Sequence, residues 1–299
     1  MEFKTLAIAD KKIFDKFLKR EEHQLSVYAF ENIYIWRGLF DIGWKIIQDC
    51  LCVFFKDNFG SFLYLPPLGN NNSQEAAQEA FKIMDSLNKN KGVSRIENLE
   101  EPLIETYKAS GYTCAPKSND YVCLRQGISA LRGNKFKSQR ASRNYFLKQN
   151  KFKCLAFSMR HADECLKLYD SWMGMRKEDN KDHIYRGMML DSRNSLKCAL
   201  GSYRQLDLKG MVIKVGGKIK GFTIGYELNK ETFCILYEIT DLSLKGLAQF
   251  IFAKFCRELE SYKYINIMDD SGLLNLKKVK LSYHPERLVP AYIAKKNNG

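Results

Sequence analysis

A single carboxylate stands at the end of an otherwise apolar run, where it could act as a general base. Glu238 directly follows the run Phe233–Tyr237. Because apolar surroundings disfavour a charge, we expect the pKa of this carboxyl to lie above its ordinary value. Such a shift suits a group that takes a proton from an incoming amine. The alternative interpretation is a buried structural carboxylate that pairs with a nearby lysine or tyrosine.

A basic turn near the C-terminus supplies a candidate for charge stabilisation. Lys280 follows Lys277 and Lys278 and precedes Tyr283. Acyl transfer to an amine or hydroxyl passes through a tetrahedral intermediate with a negatively charged oxygen. A fixed ammonium group beside that oxygen lowers the barrier. The alternative interpretation is a surface lysine in a basic turn.

Two adjacent acidic residues end the neighbouring predicted strand. Asp269 and Asp270 could orient the ammonium group of a substrate. They could equally cap the turn at Ser271–Gly272, because Asp side chains accept hydrogen bonds from backbone N–H groups nearby in sequence. The sequence slightly favours the capping role.

Small residues stand at the start of a long amphipathic helix. Gly246 and Ala248 flank Leu247, where a helical pattern begins that runs to Tyr262. The first N–H groups of a helix lack intrahelical partners and can bind a phosphate. Together with Lys245, these small residues are candidate ligand-binding positions, and the pattern is weak on its own.

The positive charge of the chain is concentrated in one segment. The 48 Lys and Arg residues outnumber the 34 Asp and Glu residues, which gives a formal net charge of +14. No acidic residue lies between Tyr121 and Ala162. Such a surface favours nucleic acid, anionic lipid or phosphorylated ligands, and the alternative interpretation is a solvated face. The candidate nucleic-acid contacts are Arg132, Lys135, Lys137, Arg140 and Arg143.

The remaining composition excludes several classes of protein. The chain has nine cysteines, an odd number, and no two of them have CxxC spacing. We therefore expect reduced thiols in a cytoplasmic protein. The four histidines are scattered along the chain, and we expect no metal site. The most apolar stretch, Ile33–Phe55, is interrupted by four charged residues, so we expect no transmembrane segment.

Hydrophobic periodicity and turn residues predict a mixed-sheet α+β chain. In the first half we expect helices at about 11–19, 26–38, 73–88 and 102–110 and strands at about 44–48, 51–56, 62–65, 94–96 and 121–124. In the second half we expect helices at about 135–149, 162–177, 191–206 and 247–262 and strands at about 152–157, 210–215, 218–228, 232–239 and 264–268. The second half repeats the element order of the first, which indicates a duplicated domain.

A run near the C-terminus carries the most specific motif of the chain. Its residues are Asn266, Asp269, Asp270, Gly272, Leu276, Lys277, Lys280, Ser282, Tyr283, Pro285, Leu288 and Tyr292. This motif resembles the signature of the phosphatidylglycerol lysyltransferase C-terminal domain family. Further landmarks of that family are similar to Ile33–Arg37, to Leu65–Gly69 and to Tyr237–Asp241 with Lys245–Leu247, so the resemblance spans roughly residues 25–292.

The resemblance implies both a fold and an activity. The fold is two tandem GNAT-like domains with mixed, mostly antiparallel sheets. The first, residues 1–150, includes the basic linker helix, and the second, residues 151–299, carries the active centre. The activity is transfer of an aminoacyl group from aminoacyl-tRNA to an amine or hydroxyl, and the expected partner is aminoacyl-tRNA or another polyanion. The acceptor is a small molecule, a peptide or a lipid headgroup, and no cofactor is expected.

The candidate site residues follow from these considerations. Glu238, Lys280 and Tyr283 are the candidate catalytic residues. The candidate substrate-binding residues are Asn266, Asp269, Asp270, Lys277, Lys245, Gly246 and Ala248.

Two other functions stay open on the sequence alone. Residues 243–248 resemble the pyrophosphate loop of GNAT domains, whose usual form is Gln/Arg-x-x-Gly-x-Gly/Ala. Gly246 and Ala248 match that form, whereas Ser243 departs from it. An acyl-CoA-dependent N-acyltransferase with coenzyme A in this loop is therefore the first alternative. A catalytically silent protein of the same fold that binds RNA or anionic membranes is the second.

Overall fold

The computed structural model describes residues 3–69, 73–179 and 182–296. Two structural units divide the chain. The first is made by the chain up to Asp120, by Asp269–Gly272 and by the chain from Leu288 onward. The second is made by Tyr121–Met268 and Leu273–Arg287. The division falls at Asp120 instead of residue 150, because the helices after Tyr121 pack into the core of the second unit.

The first unit is built around strands from the N-terminal part of the chain. Its elements are β1 (Lys4–Thr5), α1 (Lys11–Leu18), α2 (Phe30–Tyr34), β2 (Asp41–Ile47), β3 (Cys50–Lys56), β4 (Ser61–Leu63), α3 (Ser73–Leu87), β5 (Ile96–Glu100) and α4 (Ile104–Ala109). The chain enters the second unit within β6 (Tyr112–Leu124), and the last strand, β12 (Arg287–Lys296), belongs almost entirely to the first. Aromatic rings fill this core, where Phe55 stacks on Tyr64 with ring centroids 4.1 Å apart.

The second unit alternates long helices with a meander of strands. Its elements are α5 (Arg125–Ala130), α6 (Lys137–Gln149), β7 (Phe152–Ala156), α7 (Ala162–Asp179), α8 (His183–Gly201), β8 (Lys209–Val215), β9 (Lys218–Glu227), β10 (Thr232–Thr240), α9 (Leu247–Glu258), β11 (Tyr264–Asn266) and α10 (Leu274–Leu281). The predicted hairpin at the Gly216–Gly217 turn and the predicted helices at α6 and α9 are confirmed.

The strands of the two units pair in the same pattern. In the first unit β1 to β4 pair antiparallel in order, β4 pairs parallel with β5, and β5 pairs antiparallel with β12. In the second unit β7 to β10 pair antiparallel in order, β10 pairs parallel with β11, and β11 pairs antiparallel with β6. The repeated element order in the sequence therefore corresponds to a repeated sheet topology.

Helix α9 is the centre of the second core. Its apolar side chains are buried on more than one side, so α9 packs both against the sheet and against helix α6. Phe146 of α6 contacts Phe250 of α9 with ring centroids 5.1 Å apart. Because α6 uses Phe146 for packing, its lysines stay on the exposed side of the helix.

Several elements differ from the predictions. Helices α5 and α10 and strand β12 were not expected, and β6 begins at Tyr112 instead of near Tyr121. Helix α10 contains no fully buried residue, so the hydrophobic periodicity that indicates a helix is weak there. Within the described residues, no helix combines the length and apolarity that crossing a membrane requires. The same residues contain no cluster of three or more His, Cys, Asp or Glu side chains suited to a metal ion.

Candidate active site

Strands β10 and β11 pair over a short distance and then separate. The parallel register joins the first three residues of β10, ending at Cys234, to Tyr264–Asn266. Strand β11 ends there, whereas β10 continues to Thr240. The chain after β11 follows β6 instead, since the Ile267 N–H donates to the Tyr121 carbonyl at 2.9 Å. The second half of β10 therefore borders a gap in the sheet.

Glu238 lies on the separated part of β10. Its side chain is partly buried, and among the described residues its carboxylate makes no hydrogen bond or ion pair. Burial raises the pKa of Glu238 to about 8, from an ordinary value of 4.5. The alternative of a structural pair with lysine or tyrosine therefore has no candidate partner within this part of the chain.

Thr223 faces Glu238 across the sheet. The antiparallel register places the two residues directly opposite each other on β9 and β10. Gly221 precedes Thr223 by two positions, and a Cβ atom placed on it would contact Leu247 and Ile251 of α9. Because side chains alternate along a strand, Thr223 and Glu238 share the sheet face that α9 covers.

Tyr283 approaches the same place from the turn after α10. Its side chain is 7% exposed, and its ring lies perpendicular to that of Phe252 of α9 at 4.8 Å. Burial raises the pKa of Tyr283 well above its usual range, and the nearby Glu238 carboxyl adds to the effect. The structure thus brings two predicted catalytic residues, Glu238 and Tyr283, close together on the α9 side.

Lys280 anchors the chain segment that separates from β10. Its ammonium group donates to the carbonyl of Ile267 and, at 3.2 Å, to that of Met268. The same group lies 5.9 Å from the centroid of the Tyr121 ring. Burial, and not the charge of Lys280, sets the pKa of Glu238. Lys280 therefore borders the gap, and its catalytic role stays a prediction.

The polar residues at the end of β11 and just after it form turns. The Asn266 side chain accepts a hydrogen bond from the Met268 N–H at 2.7 Å. Asp269 accepts from the Ser271 N–H at 3.3 Å, and Asp270 accepts from the Gly272 N–H at 2.9 Å. Contacts over two positions are typical of Asx turns. They favour the capping role over orientation of a substrate ammonium.

Helix α6 covers the start of α9. Gly246 has a φ of +86°, and a Cβ atom there would overlap the Ser142 carbonyl oxygen and lie 3.3 Å from the Phe146 Cβ. Asp241 organises the preceding loop, because its carboxylate accepts from the Ser243 N–H at 2.9 Å and from the Ser243 hydroxyl at 2.6 Å. The glycine that the sequence assigned to phosphate approach thus permits close helix packing.

The other predicted ligand contacts are less confined. Lys245 and Lys277 are exposed, and Ala248 is partly buried. The Lys245 ammonium lies 5.3 Å from the centroid of the Tyr145 ring on α6. Lys245 therefore adds its charge to the basic helix.

The basic segment presents several exposed cationic side chains. Arg132, Lys135 and Lys137 are exposed, and in the described residues they form no ion pair. The Lys135 carbonyl contacts the His284 ring at 2.9 Å, which joins this segment to the turn after α10. An exposed cationic surface of this kind is available to a polyanion.

Arginine side chains also converge near α5. Arg140 donates to the carbonyls of Leu131 and Gly133 at 2.6 and 2.9 Å, so part of its guanidinium caps the loop after that helix. Burial, with the charges of Arg257 and Arg140, lowers the pKa of Arg143. The interaction identifies Arg257 of α9 as a further member of the basic surface.

Sequence reasoning did not select Thr223 or Arg257. Thr223 lies inside a correctly predicted strand, and only the register between β9 and β10 shows that it faces Glu238. Arg257 lies in a correctly predicted helix far from the basic segment in sequence. A helical-face analysis of α9 would have placed Arg257 on the exposed side.

Solved structures resemble the chain over almost its whole length. A conserved protein of unknown function from Bacteroides thetaiotaomicron has a TM-score of 0.87 at 26% identity, with 98% of this chain and 99% of that one covered. The C-terminal domain of a putative lysylphosphatidylglycerol synthetase from Agrobacterium fabrum gives 0.68 at 13% identity, with 98% and 93% covered. L-PGS from Bacillus licheniformis gives 0.66 at 16%, with 97% and 93% covered. A comparison with curated protein sequences found no match.

The family comparison extends over both units. The family described as Phosphatidylglycerol lysyltransferase, C-terminal, matches residues 19–295. The solved neighbours confirm the predicted fold class, an α+β chain of two tandem GNAT-like domains. The chain therefore belongs to the phosphatidylglycerol lysyltransferase C-terminal family, a group of acyltransferases.

Proposed function

We propose that this chain is an aminoacyltransferase that moves an aminoacyl group from aminoacyl-tRNA to an amine or hydroxyl acceptor. The observation that carries the proposal is the carboxylate of Glu238, which lies beside a gap in the sheet without a partner among the described residues. A base is most effective when its pKa lies near the working pH, and burial raises the pKa of Glu238 to about 8. The family name describes transfer of a lysyl group, which is an aminoacyl group.

Two features support a tRNA donor over coenzyme A. The exposed residues Arg132, Lys135 and Lys137 offer an extended cationic surface that acidic side chains of the described residues do not neutralise. The pyrophosphate of coenzyme A would bind at the first turn of α9, where Gly246 is covered by the Ser142 carbonyl. The long basic surface suits a polynucleotide, and the covered turn disfavours the compact cofactor.

The transfer step balances with an amine acceptor as follows. Glu238 takes a proton from the attacking amine, whose nitrogen then forms a bond to the carbonyl carbon of the aminoacyl ester. The bond from that carbon to the ribose oxygen breaks, and Glu238 passes the proton that it took to this oxygen, so tRNA leaves with a free hydroxyl and Glu238 is ionised again. A hydroxyl acceptor would give a new ester by the same route. We assign stabilisation of the intermediate oxyanion to Lys280, which the Met268 carbonyl helps to hold in place.

The experiment that tests the proposal is a transfer assay. The protein is mixed with total tRNA charged with labelled amino acids and with a panel of amines and alcohols, and label is followed into a product that resists mild alkali or co-migrates with the acceptor. Glu238→Gln should lower the rate by about two to four orders of magnitude, the usual contribution of a general base. The control Glu231→Gln changes an exposed glutamate and should transfer normally. Absence of transfer from every charged tRNA, together with micromolar binding of acetyl-CoA, would contradict the proposal.

A further inference from the structure

Two polar side chains that have no partner among the described residues lie opposite each other on the sheet of the second unit. Thr223 and Glu238 occupy opposite positions of an antiparallel pair, whose Cβ atoms lie roughly 4.5–5.5 Å apart. Thr223 is 0% exposed, and its hydroxyl oxygen has no hydrogen-bond partner in the part of the chain that the structure describes. The carboxylate of Glu238 likewise makes no contact that would satisfy it there.

The surroundings make an unpartnered hydroxyl at this position costly. Apolar side chains of α9, including Leu247 and Ile251, cover the sheet face on which both groups lie. A buried hydroxyl without a partner is unfavourable, whereas valine has nearly the same shape and would bury no polar atom. The hydroxyl is therefore explained if a ligand supplies its hydrogen bond.

The charge of Glu238 and the hydrogen-bond acceptors beside it indicate the class of ligand. An ionised Glu238 accepts hydrogen bonds and carries a negative charge, and the Thr223 hydroxyl can accept a second bond. The hydroxyl of Tyr283, close enough for Glu238 to influence its pKa, is a third acceptor. A primary ammonium group offers three N–H donors and one positive charge. An alcohol offers a single donor without charge, and an anion would be repelled.

We propose that Thr223 and Glu238 form a buried binding site for a primary ammonium group, and that the acceptor of the transferred group is a primary amine. This inference rests on the proposed function and narrows its acceptor from an amine or hydroxyl to a primary amine. Thr223 orients the nitrogen, and Glu238 takes the first proton from the ammonium and releases it to solvent, which leaves the attacking amine beside an ionised Glu238. During the attack Glu238 takes a second proton from the nitrogen and passes it to the ribose oxygen, and the amide product has lost the charge that held it.

Binding of a simple amine to the free protein tests the site without any donor. Amide NMR shifts of β9 and β10 are followed during titration with n-butylamine at pH 8.5, and n-butanol serves as the uncharged probe. Thr223→Val should weaken n-butylamine binding about ten- to a hundredfold, the usual effect of losing a hydrogen bond to a charged group. Thr223→Ser keeps the hydroxyl and should bind within about threefold of the wild type.

Stability and kinetics separate this role from a structural one. Because valine removes an unsatisfied buried hydroxyl, Thr223→Val should unfold at the same or a higher temperature than the wild type. Two results would overturn the inference. One is that wild type and Thr223→Val bind n-butylamine with equal affinity, and the other is that the wild type binds n-butanol as tightly as n-butylamine.

The transfer assay then distinguishes the two proposals. With an amine acceptor, Thr223→Val should raise KM for the amine about tenfold or more and change kcat little. If transfer proceeds with an unchanged KM, the amine site is refuted and the aminoacyltransferase proposal stands. If no charged tRNA serves as donor while n-butylamine binding depends on Thr223, the donor assignment fails and the amine site stands.

Discussion

Replacing Glu238 with glutamine should remove a pH dependence from the stability of the protein. Glutamine keeps the size of the side chain but cannot ionise. The pKa of Glu238 is about 8 in the folded chain against an ordinary 4.5, so between these values the unfolded chain releases a proton that the folded chain retains. The free energy of unfolding therefore falls as pH rises through this interval, because the folded state binds more protons.

The magnitude follows from the width of the interval. Each pH unit changes the free energy of unfolding by about 1.4 kcal/mol when the two states differ by one proton. From pH 4.5 to about 8 the loss is on the order of 4 to 5 kcal/mol as an upper value. Tyr283 and Cys256, the titratable neighbours of Glu238, have pKa values raised far above this interval and stay neutral throughout. Glu238→Gln should thus match the wild type near pH 4.5 and exceed its stability at pH 8.

Urea denaturation at pH 5, 6, 7 and 8 measures the difference. The control Glu231→Gln changes an exposed glutamate in the same unit and should follow the wild-type profile. If Glu238→Gln and the wild type show parallel profiles over the whole range, the Glu238 carboxyl titrates normally. Glu238 would then not be poised as a base near neutral pH.

The remaining predictions address the other parts of the site. Lys280→Met should keep the circular dichroism spectrum but lower turnover by about two orders of magnitude through loss of an oxyanion stabiliser, and near-normal turnover would leave Lys280 a structural anchor. Charge reversal at Arg132 and Lys137 should reduce the slope of log affinity for tRNA against log salt by about one per lost phosphate contact in filter binding, and an unchanged slope would contradict the basic surface. Gly246→Ala should lower the free energy of unfolding in urea by roughly 2–5 kcal/mol, because alanine disfavours the left-handed backbone and its Cβ atom overpacks against α6. The control Gly133→Ala, at φ +82° with open space around it, should lose only the backbone contribution. Equal losses in the two variants would refute the helix contact. Calorimetry should find acetyl-CoA binding with a Kd on the order of a millimolar or weaker, and micromolar saturable binding would favour the acyl-CoA alternative.

Local patterns were sufficient for much of the fold. Alternating β-branched and aromatic residues with a Gly216–Gly217 turn predicted the hairpin of β8 and β9, and apolar spacing predicted α9. The raised pKa of Glu238 could be anticipated because the residue follows an apolar run, which is typical of a buried strand.

Features that depend on contacts distant in sequence could not be predicted. Thr223 gains significance only from the register that sets it opposite Glu238, and a shift of one residue would turn it to the other face. Gly246 matches a phosphate-binding pattern, whereas its surroundings show that the backbone of α6 occupies the space beside it. The same local sequence fits either role, and only tertiary packing distinguishes them.

The pairing of β12 with β5 has a consequence for how the protein is made. Tyr292 and its neighbours complete the first unit from residues that the ribosome adds after the whole second unit. During most of the translation time, the N–H and C=O groups on the edge of β5 that later pairs with β12 therefore stay unpaired. The second unit can therefore bury its core before the first unit is complete, although the first unit begins earlier in the chain. Nascent chains arrested before Arg287 should accordingly present the edge of β5 to chaperones, and release of β12 should end that exposure.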